Sequence, residues 1–181
     1  MLYSLFSLIT GLLGSLLLLR AYLWSLAISP RDPLVAFAWK LTDWLVNPVA
    51  YIVKPRGNWD WSTLASAFLV AVVEVIVMRE VTGYPMTPLA YAVAPFAMVA
   101  RWAIDLLIWG LIIYCVFSFI QSARYSGNMA LLHTLVNPFL RPLRRFIPTI
   151  GRFDLTPIVL FIALNLALRF IVPLSMGMAS L

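Results

Sequence analysis

The sequence predicts an all-α membrane protein with four transmembrane helices arranged as two parallel two-span repeats. Three observations support this fold class. Hydrophobic residues make up 63% of the 181 residues and charged residues only 11%, too few to cover a water-soluble domain. Four apolar segments are long enough to cross the hydrocarbon core of a bilayer. In addition, a short motif recurs in the two halves of the chain.

The four predicted spans run approximately over residues 2–28, 62–78, 96–120 and 156–173. The first lacks the basic beginning of a signal peptide, so we expect it to be retained. Residues of about 34–46 and 129–146 carry apolar side chains at helical spacing but are too polar to span. We therefore expect an interfacial amphipathic helix in the long loop of each half. Proline and glycine predict a connector over residues 79–95 and an interruption at Asn137-Pro138.

The repeat is clearest where Leu45-Val46-Asn47-Pro48 recurs as Leu135-Val136-Asn137-Pro138. Each copy continues into a Pro/Gly turn and an aromatic-Asp pair, whose carboxylate is suited to cap the next span. Two spans per copy make the repeats, 1–83 and 84–181, parallel. We assign the shared positions to the fold, namely Asn47, Pro48, Asp60, Asn137, Pro138, Pro148, Gly151 and Asp154.

Basic residues are concentrated in the two long loops, which hold nine of the thirteen Lys and Arg residues. The positive-inside rule therefore predicts that these loops are cytoplasmic and that both termini lie outside. A net charge of +6 with this distribution favours anionic lipid over nucleic acid as a partner. The densest cluster predicts a platform for lipid or for a protein, formed by Arg141, Arg144, Arg145 and Arg152.

Besides Arg20 in the first span and Arg101 near the start of the third, the predicted spans contain three charged residues, namely Glu74, Asp105 and Arg169. At about 1.5 Å of rise per helical residue they lie at similar depths. An unpaired charge at that depth is costly, so we expect Arg169 to pair with Glu74 or Asp105. On one face of the first span, the small residues Ser7, Gly11 and Ser15 recur every fourth position and would let a neighbouring helix approach closely.

Catalytic and metal-binding patterns are missing from the sequence. Cys115 is the only cysteine and His133 the only histidine, so neither a disulfide framework nor paired imidazole ligation can form. The chain has no glycine-rich phosphate loop and no Ser-His-Asp set. We therefore expect neither an enzyme nor a bound cofactor.

The second copy carries a family resemblance. NPFLRPLRRFIP, followed by IGRFDLTPIV, resembles the signature of the YggT family of small membrane proteins. The first copy departs from it, because it lacks counterparts of Arg141, Arg144 and Arg145 and has Lys54 near their place. The resemblance implies a multi-pass protein of the bacterial inner membrane without catalytic residues. It also implies a link to ion or osmotic homeostasis, to envelope or division organisation, or to assembly of membrane complexes.

Two functions remain open from the sequence. The first is a non-enzymatic membrane adaptor or assembly factor whose basic cytoplasmic platform binds anionic lipid or a membrane or cytoplasmic protein. The alternative is a component of ion or osmotic homeostasis that acts as an oligomeric transporter or channel lined by Glu74, Asp105 and Arg169. A homo-oligomer is compatible with both.

Overall fold

A computed structural model of the chain describes residues 2–29, 31–54, 57–83, 86–119, 127–145 and 154–177. These residues form six α-helices and no β-strand. The helices are α1 (Leu2–Ser25), α2 (Pro33–Ala50), α3 (Trp61–Thr82), α4 (Pro88–Phe119), α5 (Gly127–Leu143) and α6 (Thr156–Ser175). Among them, α1, α3, α4 and α6 are long and apolar enough to cross a membrane. The prediction of an all-helical fold is confirmed for the described residues, and four of the helices are candidates to cross a membrane.

The helices α1 and α3 are each followed by a residue whose backbone is in the left-handed conformation. After α1, the amide of Ile28 bonds to the carbonyl of Leu23 and that of Ala27 to the carbonyl of Trp24, with Ala27 at a φ of 51°. This is the Schellman pattern, and it ends α1 three residues before the predicted limit. Gly83, at a φ of 65°, ends α3. The second span accordingly continues to Thr82, past the predicted residue 78.

Several prolines lie within helices, contrary to the prediction. The expected connector over residues 79–95 is wrong, because α4 begins at Pro88 and continues through Pro95. Pro88 is tolerated since the first amides of a helix need no intrahelical acceptor, and the Thr87 hydroxyl accepts the amide of Ala90 at 3.2 Å. The expected interruption of α5 at Asn137-Pro138 is also wrong, since α5 runs on to Leu143, just after Pro142.

Close contacts divide the chain into two compact units, residues 1–103 with 171–181, and residues 104–170. This division reflects packing, and the two sequence repeats, 1–83 and 84–181, stay a prediction. In the first unit α1, α2 and α3 pack on one another. Their core includes Leu17, Val46, Ala67, Val75 and Trp102, all at most 3% exposed. In the second unit the core is formed by Leu111, Val136, Leu140 and Leu160.

The helix α2 buries one narrow stripe against its neighbours. Its buried residues are Val35, Ala38, Thr42 and Val46, which fall three or four positions apart. Asp32 precedes the helix and accepts the amide of Leu34 at 2.9 Å, so the chain enters α2 through a capped first turn. The packed stripe fixes which side chains of α2 point at α1 and α3.

The small residues of α1 make room for an indole. Gly11 and Gly14 face Trp102 of α4, which is 3% exposed. A Cβ at Gly11 would lie 3.6 Å from Nε1 of Trp102, an ordinary contact, whereas a Cβ at Gly14 would overlap the ring. The predicted small face of α1 therefore exists at Gly11, but Gly14 is the position that requires glycine.

We predict that Gly14→Ala destabilises the protein and that Gly11→Ala does not. The added methyl at position 14 must displace a buried tryptophan, and overpacking of this kind costs about 1–3 kcal/mol. Thermal unfolding of the purified protein in detergent measures the effect. Equal melting temperatures for the two variants would contradict the packing described.

Candidate functional site

Asp60 caps the second span. Its side chain is buried, with the whole residue 3% exposed, and it accepts the backbone amide of Thr63 at 3.2 Å. The hydroxyls of Ser62 and Thr63 also donate to the same carboxylate. These bonds satisfy amide groups that the first turn of a helix leaves without partners. The predicted capping role of Asp60 is therefore confirmed.

Arg20 of α1 joins this cap to α2. Its Nη1 donates to Thr42 Oγ1 at 2.8 Å and to Asp43 Oδ1 at 2.6 Å. Its Nε lies 3.9 Å from Asp60 Oδ2, too long for a hydrogen bond but close enough for charge attraction. The guanidinium also stacks 5.5 Å from the ring centre of Trp39. One buried side chain of α1 thus contacts α2 and lies beside the carboxylate that caps α3.

Asp154 is the corresponding cap of the fourth span. Its Oδ1 accepts the backbone amide of Thr156 at 3.0 Å. Its Oδ2 accepts a hydrogen bond from Nε of Arg144 at 2.9 Å and lies 2.9 Å from Nη2 of the same guanidinium group. Partial burial raises the pKa of Asp154, but the hydrogen bonds from Thr156 and Arg144 and the charge of Arg144 outweigh it and hold the pKa below its ordinary value. Asp154 thus accepts the first amide of α6, and its cationic partner is Arg144.

Arg144, which follows directly after α5, also reaches back to that helix. Its Nη1 donates to Oδ1 of Asn137, seven residues earlier on α5, at 3.2 Å. The guanidinium therefore links the Asn-Pro motif of α5 to the first turn of α6. This gives Asn137 a physical role in the motif that the sequence marked only by its recurrence. Pro148, Gly151 and Arg152, which the sequence also singled out, lie outside the described residues.

The predicted arginine platform has two kinds of members. Arg144 is only partly exposed because it is bonded to Asp154 and Asn137. Arg141 and Arg145 are exposed. The helix α5, which carries Arg141 and ends two residues before Arg145, is anchored by Val136 and Leu140, which are 3% and 1% exposed. Arg141 and Arg145 therefore lie on either side of a fixed arginine, and their guanidinium groups are accessible.

The predicted intramembrane charges occupy different environments. Glu74 is 1% exposed, and its carboxylate contacts the hydroxyls of Ser7 at 2.8 Å and Thr10 at 2.6 Å. Asp105 is partly buried and Arg169 is exposed. The pairing of Arg169 with Glu74 or Asp105 stays a prediction. The hydroxyl partners of Glu74 were missed by sequence reasoning, although Ser7 had been noted for its size.

A sequence profile of the CCB3/YggT family matches residues 1–81 and 93–175, which is most of the chain. The chain belongs to the CCB3/YggT family. It is similar to the YggT protein of Escherichia coli K12, with 25% identity over 160 residues, covering 88% of this chain and 83% of that protein. It is also similar to protein PA0392 of Pseudomonas aeruginosa, with 29% identity over 160 residues, 85% of this chain and 81% of that one.

A third relative of this family is a protein encoded in the proC 3′ region of Vibrio alginolyticus, 28% identical over 152 residues, 83% of this chain and 82% of that protein. None of the solved structures matches the chain. The family resemblance noted in the second copy is thereby confirmed for both halves of the chain. Within the described residues, no group of three His, Cys, Asp or Glu residues is placed to hold a metal ion.

We predict that the arginines of the platform differ in their effect on stability. Arg144→Gln should lower the free energy of unfolding by about 1 kcal/mol, because it removes a partly exposed charged pair. Arg20→Gln should cost more, about 3 kcal/mol, because it leaves the buried carboxylate of Asp60 without its cation and also removes the ion pair with the half-exposed Asp43. Arg141→Gln is the matched control and should leave stability unchanged.

Thermal melting in one detergent, at one salt concentration, ranks the three variants. A melting temperature for Arg141→Gln as low as that for Arg144→Gln would mean that the pair with Asp154 does not hold the loop together.

Proposed function

We propose that the protein is a non-enzymatic membrane adaptor or assembly factor whose helix α5 presents a basic platform to anionic lipid or to a protein partner. The observation that carries this proposal is that one arginine is bonded within the fold while its two neighbours are exposed. Arg144 is bound within the fold, while Arg141 near the end of α5 and Arg145 in the turn after it are exposed. A helix held in place in this way presents its charges without first having to order them.

The chemistry of guanidinium groups indicates what the platform binds. Arginine forms paired hydrogen bonds with phosphate and carboxylate groups, and a basic residue near an anionic membrane surface contributes about 1 kcal/mol. Phospholipid headgroups supply phosphate at the required density. An acidic surface on a membrane or cytoplasmic protein would offer carboxylates in the same geometry. Recruitment of such a partner is the step by which the protein would act in envelope organisation, division or assembly of membrane complexes.

The exposed face of α2 supports an interfacial position for this helix. Phe37, Leu41 and Trp44 are 57%, 44% and 66% exposed, and Lys40 is exposed beside them. A helix that buries one stripe in the protein and exposes a second stripe of aromatic and aliphatic groups is suited to the boundary between headgroups and acyl chains. We propose that α2 and α5 both lie along this boundary, as the long loops of two parallel repeats.

The sidedness of the platform is part of the same proposal. The excess of Lys and Arg in the loops that hold α2 and α5 favours the cytoplasmic side, with both termini outside. The cytoplasmic leaflet carries the anionic lipids that such a platform would bind. In a bacterial cell this arrangement corresponds to the inner membrane.

One observation favours a second candidate, a component of ion or osmotic homeostasis that acts as an oligomeric transporter or channel. Glu74 is a buried carboxyl group in the middle of a helix that could cross the membrane. Buried ionisable groups in such helices frequently mark ion or proton pathways. Flux through liposomes that contain the purified protein, compared with a Glu74→Gln variant, separates this candidate from the adaptor.

We predict that the double variant Arg141→Gln/Arg145→Gln loses anionic phospholipid that co-purifies with the wild type. The control is Arg31→Gln/Lys40→Gln, which removes the same charge from exposed positions of the first half. Lipid extracts of the purified proteins, compared by mass spectrometry for the ratio of anionic to zwitterionic lipid, give the measurement.

The α5 variant should retain several-fold less anionic lipid than the control. If its lipid is unchanged but one protein partner disappears from native-membrane preparations, the platform binds protein. An identical lipid and protein content in both variants would remove α5 from the function.

A further inference from the structure

The contact between α1 and α3 contains a buried acid. Glu74 lies on α3 and is 1% exposed. Its Oε1 is 2.8 Å from the hydroxyl of Ser7, and its Oε2 is 2.6 Å from the hydroxyl of Thr10. Both hydroxyls belong to α1. The acid therefore bridges two helices that could cross the membrane.

The hydroxyl of Thr10 has more acceptors than it can serve. Besides Glu74, its Oγ1 lies 3.0 Å from the carbonyl oxygen of Phe6 and 3.2 Å from that of Ser7. A hydroxyl carries one proton. If Glu74 is ionised, Thr10 must turn this proton to the carboxylate and away from the helix carbonyls.

A proton on Glu74 resolves this competition. The acid then donates to Thr10 Oγ1, and Thr10 donates to the carbonyl of Phe6, as threonine side chains within helices commonly do. Ser7 donates to the other oxygen of the same carboxyl group. The hydrogen bonds from Glu74 to Thr10, from Thr10 to Phe6 and from Ser7 to Glu74 then each have a proton of their own, and no net charge is placed between two apolar helices.

The surroundings of the cluster contain two further groups that carry or can acquire charge. The phenol of Tyr3 on α1 is hydrogen-bonded to Ser7 and lies within the electrostatic influence of both Glu74 and Arg101 of α4. On α3 itself, Arg79 and Glu80 come more than a turn later, with side chains 50% and 70% exposed. In the competing arrangement Glu74 is ionised and is stabilised by the charge of Arg101, and the site then holds no proton.

We propose that Glu74, with Thr10 and Ser7, forms a proton-binding site inside the membrane-spanning unit. At neutral pH the site holds one proton, which serves as a hydrogen-bond donor between α3 and α1. Release of that proton leaves a negative charge in the contact and weakens it, so proton occupancy controls the packing of α1 on α3. The site is independent of the arginine platform, and either assignment can fail without the other.

The direct test is infrared spectroscopy of the wild-type protein in liposomes at neutral pH. Glu74 and Glu80 are the only glutamates in the chain, and Glu80 is 70% exposed and therefore solvated. Protein labelled with ¹³C in the glutamate carboxyl group should show a shift of the carbonyl band that belongs to a protonated carboxylic acid. Absence of any glutamate-sensitive acid band would show that Glu74 is ionised and would overturn the proposal.

Two variants supply an independent readout. Glu74→Gln keeps the shape and the donor of a protonated acid, so it should melt within a degree or two of the wild type, whereas Glu74→Leu should melt well below it. If Arg101 instead stabilises an ionised Glu74, Glu74→Gln should lose as much stability as Glu74→Leu. That result would contradict the proton site even if both variants fold.

Discussion

The structure depends on a carboxylate placed where each of two spans begins after a long loop. A helix that starts near a bilayer leaves several amide groups without acceptors, and Asp60 and Asp154 supply them. A carboxylate in such a place is itself costly unless a cation lies close by. A capping carboxylate therefore requires an arginine close by. The other bonds of that arginine determine which residues are held beside the cap.

The two halves meet the second requirement with different residues. In the first half the cation is Arg20, which comes from the preceding span and therefore binds α1, α2 and the cap of α3 together. In the second half it is Arg144, which comes from the turn directly after α5 and holds Asn137 and Asp154. Lys54, near the place of Arg144 in the first copy, is exposed. The arginines that the second copy adds thus include one that takes the part of Arg20 beside the cap, whereas Arg141 and Arg145 stay exposed.

Local patterns in the sequence predicted the elements well. The length of the apolar segments predicted the four candidate spans, and the recurring aromatic-Asp pair predicted the capping carboxylates. Both features are local in sequence, because a capping side chain lies within three residues of the amide that it accepts. The helix limits near proline were wrong at α4 and α5. Proline removes a donor, but it ends a helix only where packing does not compensate, and packing is not visible in a window of sequence.

Long-range partners were the part that the sequence could not supply. Arg20 and Asp43 are 23 residues apart, and nothing local connects them. The bonds from Ser7 and Thr10 to Glu74 span more than 60 residues. The role of Gly14 likewise follows only once Trp102 of α4 is placed against it. By contrast, Asn137 and Arg144 are only seven residues apart, on the last turns of α5 and directly after it, so their contact could have been predicted from spacing.

The central claim is that a capping carboxylate and its arginine act as one unit in folding. A double-mutant cycle on Arg144→Gln and Asp154→Asn tests it most directly, because asparagine still caps the helix and only the charge is removed. If the two groups act together, the double variant should melt no lower than the less stable single variant. If instead the losses of the two single variants simply add, the pair makes no joint contribution and the account is contradicted.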